Sequence, residues 1–338
     1  AQALELTTIH RADILESSFL QYIFCVSNAA ASMAAQNSLG TPLQPSSEQS
    51  GSSLFQQLLR FTWGDFTDEE KALHRHIRVT DYIGFIVIAA LYLAAAWCAG
   101  LSAAIQPPPP SPKMTAAQSV FAAWGLYTLH LHVYCQPNPK NEAKTAAIYN
   151  CLGGPCGRWI FLTRQTIGLQ AMHLITSALA PFCSMTLTAG TYALAVYVGG
   201  QASFVTIQFF TLVFPQAEYK AACDLWASRG VYFKLIGKLT HVPGACLMFV
   251  DICLLKERHA LLSLTLPDAW LLLILLCYTC LYLLMLFANH RITAEWPYSF
   301  LYKFNLFQWV KFFVVQYGIL VILTSGVLAL SWYFPVSW

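Results

Sequence analysis

Beyond about residue 80 the chain alternates long apolar runs with short polar stretches, and the runs reach about 20 residues, the length a helix needs to cross roughly 30 Å of hydrocarbon. The pattern predicts spans near 82–104, 115–135, 159–183, 187–213, 234–255, 268–289 and 308–335. Pro107 to Pro110 cannot continue a helix and separate the first span from the second. The expected fold is therefore all-α: a polytopic transmembrane helix bundle of about seven spans over 81–338, behind a polar, partly helical N-terminal extension over 1–80. That extension holds an apolar patch at 14–26 and a Ser/Gln/Gly/Pro tract near 37–53 that reads as a linker. After it, Thr67-Asp68-Glu69-Glu70 has the spacing of a capping box, in which hydroxyl and carboxylate satisfy the first free amides of a helix. A surface helix leading into the first span is expected there.

Loop charge tests this threading, because Lys and Arg accumulate on one side of a membrane protein. Seven spans put fifteen basic residues on the N-terminal side, among them Arg60, Lys140, Arg158, Lys220, Arg229 and Lys303, and only Lys113, Lys256 and Arg258 on the other. Adding or removing a span early in the chain would scramble that bias. The N terminus is expected on the positive side, matrix or cytoplasmic.

Composition agrees with a membrane fold: 57% hydrophobic and 10% charged residues are far from a soluble balance, and mean hydropathy is +0.53. A net charge of +3 offers nothing to neutralise a nucleic-acid backbone, so nucleic acid is excluded as a partner. Of eleven cysteines, Cys98, Cys183, Cys246, Cys253, Cys277 and Cys280 lie in apolar runs and read as packing residues. Cys135, Cys151 and Cys156 share a polar loop, but no second pair at ligand spacing accompanies them, and no metal site is expected.

Ionisable groups at membrane depth mark function or internal pairing. Thr163, one turn into the third span, and His241, two turns into the fifth, are expected at one level near the positive face. A hydroxyl and an imidazole so placed can act as nucleophile and general base towards an ester, or can instead satisfy local backbone. Arg164 and Lys238 beside them would attract an anionic lipid head group. Ten residues further along each span, about 15 Å by helical rise, His173 and Asp251 should again be level. A lone buried carboxylate is expensive, so Asp251 is expected to pair, with His173 first and Gln170, Gln208 or Asn289 behind it. His130 and His132 lie two apart on one helix, point away from each other, and read as interfacial rather than as metal or haem ligands. Trp159, Trp226, Trp296, Tyr298, Trp309, Trp332 and Trp338 fall near span ends, as an interfacial aromatic belt would.

The segment Gly157-Arg158-Trp159-Ile160-Phe161-Leu162-Thr163 followed by Leu169-Gln170, then Leu212-Val213-Phe214-Pro215, His241 with Asp251 ten positions on, and Trp296-Pro297-Tyr298-Ser299-Phe300 occur in that order. Over about residues 115–335 they resemble the androgen-induced family of integral-membrane threonine hydrolases. The resemblance implies a six-helix bundle in which Thr163 and His241 cleave fatty acid esters of hydroxy fatty acids. Where that family carries acidic and Arg residues before its aromatic-Pro element, this chain has Phe209, Phe210 and Thr211. Where the family has Asn-His before the catalytic His, this chain has Gly237 and Lys238.

Lost orienting groups of this kind favour a non-catalytic reading. The expected function is thus a lipid-binding accessory subunit of a large membrane assembly, with the hydrolase as the alternative. A mitochondrial inner-membrane, energy-transducing host is expected from the charge bias and from a start at Ala1 that suggests processing, with endoplasmic reticulum as the alternative. Residues 1–80 and the first span would dock other subunits, because a Ser/Gln/Gly tract orders only against a partner. No cofactor is expected beyond bound phospholipid.

Overall fold

The structure, a computed structural model, describes residues 68–134, 156–228 and 233–333. The chain partitions after residue 57, and all described residues belong to the unit 58–338. The linker, Cys135, Cys151, Trp338 and nearly all of the expected extension lie outside the described residues, as do the side chains of His130, His132 and Trp226.

Among the described residues the fold is helical throughout. We number α1 Asp68–Leu101, α2 Pro112–Tyr134, α3 Leu162–Cys183, α4 Met185–Gln208, α5 Ala217–Ser228, α6 Phe233–Val250, α7 Arg258–Leu264, α8 Asp268–Thr293 and α9 Leu306–Tyr333. Short 3-10 turns at Gly157–Ile160 and Ser299–Lys303 precede α3 and α9, and π turns at Phe209–Val213 and Asp251–Leu255 extend α4 and α6. Five helices are long and apolar enough to cross a membrane: Val79–Leu101, Leu162–Cys183, Met185–Val213, Ala269–Thr293 and Leu306–Tyr333. The chain is an integral membrane protein by this measure. Helices also occupy the other two predicted positions, but α2, which carries Gln118, is less apolar, and the apolar segment of α6, Thr240–Leu255, is shorter than a full span.

Burial sorts the spans. Of the α3 and α4 segments, 72% and 78% are buried inside the protein, against 11% to 17% for α1, α8 and α9. α4 is the hub, packing on α1, α3, α6 and α9. Between hydrocarbon and protein no hydrophobic gain drives helix association, so close approach through small residues does. Gly190 lies against the Ala96 backbone and Gly100 against the Thr186 carbonyl, so that Ala96/Gly100 and Thr186/Gly190, each four residues apart, mesh α1 antiparallel to α4. A methyl group on Gly190 would overlap the Ala96 carbonyl. Gly200 seats against Thr324 of α9 in the same manner.

The α3–α4 junction is one residue wide. Ser184, in extended backbone, ends α3 and its hydroxyl accepts the Leu187 amide at 3.3 Å, capping α4. Other boundaries depart from the sequence expectation. α1 runs without a break through the expected boundary at 80/81, so surface helix and first span are one helix. Trp159 is not in an interfacial belt: it is buried between Gly84 and Gly168, and its indole donates to the Asp81 carbonyl at 3.1 Å. Of the six cysteines read as packing, only Cys253 is buried, while Cys98, Cys183, Cys246, Cys277 and Cys280 are exposed on the outside of the bundle. Lipid is as apolar as a protein core, so hydropathy does not tell the two destinations apart.

Candidate functional site

Two polar regions lie inside this apolar bundle. The deeper one is built on Asp251, at the start of the π turn that ends α6. His173 Nε2 stands 3.1 Å from Asp251 Oδ2, and Gln118 Nε2 donates to Oδ1 at 2.9 Å. On its other side, His173 Nδ1 is 2.9 Å from the Tyr92 hydroxyl. Because the Asp251 carboxylate can only accept, Nε2 carries a proton towards it, and Nδ1 shares a hydrogen bond with the Tyr92 hydroxyl. Lys256 supplies the balancing charge, with Nζ 3.6 Å from Oδ2 and 4.4 Å from the centre of the Tyr192 ring. It also donates to Ser177 Oγ and Thr191 Oγ1, each at 3.4 Å. The π turn makes this possible. The Lys256 amide bonds the Asp251 carbonyl at 2.9 Å, five residues back, and the wider turn returns Lys256 to the side of the helix that Asp251 occupies. Asp251 and His173 are fully buried, and Lys256 is 2% exposed.

The shallower region is a cavity of about 100 Å3 lined by α3, α4, α8, α9 and the 3-10 turn at Ser299–Lys303. One stripe of α4 faces it, Gln201, Phe204, Val205, Gln208 and Leu212, at the spacing of a single helix face. Opposite stand Tyr278 and Tyr282 of α8 and Phe312, Gln316 and Leu320 of α9. Thr163, in the first turn of α3, and Tyr298 close the end nearest that turn. The wall is aromatic and aliphatic, yet Gln208 Oε1 and Gln316 Oε1 are buried in it without a hydrogen-bond partner, while the Gln201 amide lies beside the Tyr197 hydroxyl.

The sequence-predicted site residues separate between these regions and their surroundings. Thr163 lines the cavity and His241 does not, and no hydrogen bond joins them. Phe209 is the reason. Its ring lines the cavity on one side and stacks on the His241 imidazole on the other, with centroids 3.8 Å apart and planes within 10°. His241 Nδ1 is buried without a partner, and its backbone carbonyl accepts from Thr206 Oγ1 at 2.7 Å. Arg164 is buried near Arg158 and Asp81, and Lys238 is half-buried on α6; neither reaches the cavity wall. Of the residues ranked behind His173 as partners for Asp251, Gln208 faces the cavity, Gln170 packs under Gly244, and Asn289 Nδ2 bonds Thr293.

Sequence reasoning missed Lys256, Gln118, Tyr92, the carboxamides of Gln201 and Gln316, and an ion pair between Arg158 and Asp81. Cys156, the described member of its trio, is half-buried and free, and burial pushes its thiol pKa up, away from the reactive thiolate. No cluster of potential metal ligands occurs among the described residues. Comparison with family models, curated proteins and solved structures finds no match.

Proposed function

We propose that this chain is a non-catalytic, lipid-binding membrane protein that serves as an accessory subunit of a larger membrane assembly. The observation that carries the reading is the cavity: a largely apolar space inside the bundle whose wall holds the Gln208 and Gln316 amide oxygens without hydrogen-bond partners. Buried amides without partners cost about 1–3 kcal/mol each, a demand that a bound amphiphile with a polar head meets. The separation of Thr163 from His241 by Phe209 supports a binding role over hydrolysis, since a nucleophile needs its base within hydrogen-bonding reach. Phe209 occupies the segment where the resembled hydrolases carry charged residues.

We also read α2 and α6 as spans, which gives seven passes with the N terminus on the positive side. The support is the fifteen-to-three bias of basic residues, and the burial of Gln118, His241 and Asp251 inside the protein, which keeps these polar groups away from lipid. Large apolar residues exposed along α1, α8 and α9, such as Ile86, Leu281 and Ile322, suit lipid or neighbouring subunits. One observation favours the hydrolase alternative: the Thr163 hydroxyl faces the cavity without a partner.

A fluorophosphonate-type probe on the full chain in mild detergent separates the two. The accessory reading predicts co-purified lipid, migration within a large assembly, and no labelling of wild type or Thr163→Ala. Labelling that is lost in Thr163→Ala would make the chain a hydrolase.

A further inference from the structure

At about 100 Å3 the cavity is smaller than the sites of about 300–1,000 Å3 that enclose whole small molecules, so a wall must give way before an amphiphile can lodge there. Phe209 is the wall residue with a polar group stranded behind it. Its ring covers His241, which is 8% exposed and whose Nδ1 is buried without a hydrogen-bond partner. A buried imidazole nitrogen left unmet costs free energy in the same way as an unmet amide.

The helix changes register at Phe209. The Phe209 amide is shared between the Val205 and Thr206 carbonyls, while its own carbonyl accepts the Phe214 amide at 2.8 Å, five residues on. Single π turns of this kind recur at functional sites. The ring itself is held by packing alone: face to face with His241 at 3.8 Å, and edge to face with Tyr219 at 5.5 Å and Phe210 at 5.1 Å. Gly237 makes the recess in which it lies, since a methyl group there would stand 3.3 Å from Phe209 Cζ and would strike the Tyr219 hydroxyl. The backbone behind the ring is tied down, because Thr206 Oγ1 of α4 donates to the His241 carbonyl of α6 at 2.7 Å. Side-chain rotation is thus the movement open to this wall, and a phenylalanine in a helix has two favoured χ1 positions about 120° apart.

We propose that Phe209 is the gate of a larger site. As its ring leaves His241 and moves towards Phe210 and Phe214, the cavity joins the recess over Gly237. The head of a single-chain amphiphile then reaches His241 Nδ1, and its chain lies along Phe204, Val205 and Leu320. This rests on the lipid-binding reading above and adds to it how the site opens. With the ring in place, the same nitrogen is sealed and the site is shut.

The test uses the full chain in mild detergent, stripped of lipid and loaded with dodecanol. A hydroxyl gives or takes a hydrogen bond, so this probe meets either tautomer of the imidazole. Bound alcohol is counted by native mass measurement, and the His241 ring nitrogens are followed by magnetic resonance, assigned by their loss in His241→Phe. The expected result is that wild type retains dodecanol and that its His241 Nδ1 resonance shifts on loading. His241→Phe keeps a ring to stack on and loses the nitrogen, so it should melt close to wild type when lipid-free and retain about tenfold less. Phe209→Leu leaves less to move aside and should retain at least about threefold more, because a gate that is mostly shut lowers apparent affinity by its open fraction. Retention by wild type with an unmoved His241 resonance, or undiminished retention in His241→Phe, overturns the gate and leaves lipid binding standing. Retention by Phe209→Leu alone makes the ring a fixed wall and also overturns the gate. Retention by neither wild type nor any variant overturns the lipid-binding reading itself.

Discussion

The cluster around Asp251 and the cavity beneath Gln201 confront the same problem, polar groups in an apolar bundle, and resolve it in opposite ways. At Asp251 both carboxylate oxygens, both imidazole nitrogens and the ammonium of Lys256 have partners, drawn from α1, α2, α3, α4 and α6. In the cavity wall Gln208 Oε1 and Gln316 Oε1 are buried with none. The charged groups of the first region are all met, and only Gln118 Oε1 there is left without a partner, whereas the second region leaves its amide oxygens facing a cavity. That contrast, more than either site alone, assigns structure to the first and binding to the second.

The comparison is broken most forcefully at Asp251. Asp251→Asn leaves the Lys256 ammonium buried without a counter-charge and is expected to destabilise the chain by about 3–5 kcal/mol. Thermal unfolding in detergent measures it. Adding Lys256→Met to that variant should recover most of the loss, because it removes the stranded charge; a double variant as unstable as the single one would mean that the pair is not the unit. Next in size, Gly190→Ala forces α4 away from the Ala96 carbonyl and should cost about 1–3 kcal/mol by the same assay. A smaller effect is expected at Gln316→Leu, within about 0.5 kcal/mol of wild type when lipid-free, since its buried amide oxygen bonds nothing in the protein. A loss there as large as at Asp251 would erase the distinction between the regions.

The sequence made one half of this contrast far more legible than the other. Counting ten residues from Thr163 and from His241 levels His173 with Asp251, because depth along a helix is a property of one helix and the topology relates the two. Tyr92 and Gln118 come from helices whose rotation about their axes no spacing reveals. Lys256 follows the last apolar residue of its span and reads as a loop cation; only the π turn carries it inward. The cavity was less visible, because Gln201 and Gln208 look like isolated interruptions of an apolar run. Their separation of seven residues, one helix face, with Phe204 and Val205 between, was the signal available. Thr163 and His241 illustrate the opposite limit: equal depth brought them to the same end of the bundle, while a single ring, Phe209, decides that they do not meet.

The most direct measurement of this contrast is the melting temperature of the lipid-stripped chain with and without added lipid, in wild type and in Gln316→Leu. The account predicts that the two proteins melt alike without lipid and that only wild type gains markedly when lipid is added. Equal gains in both, or none in wild type, would contradict it.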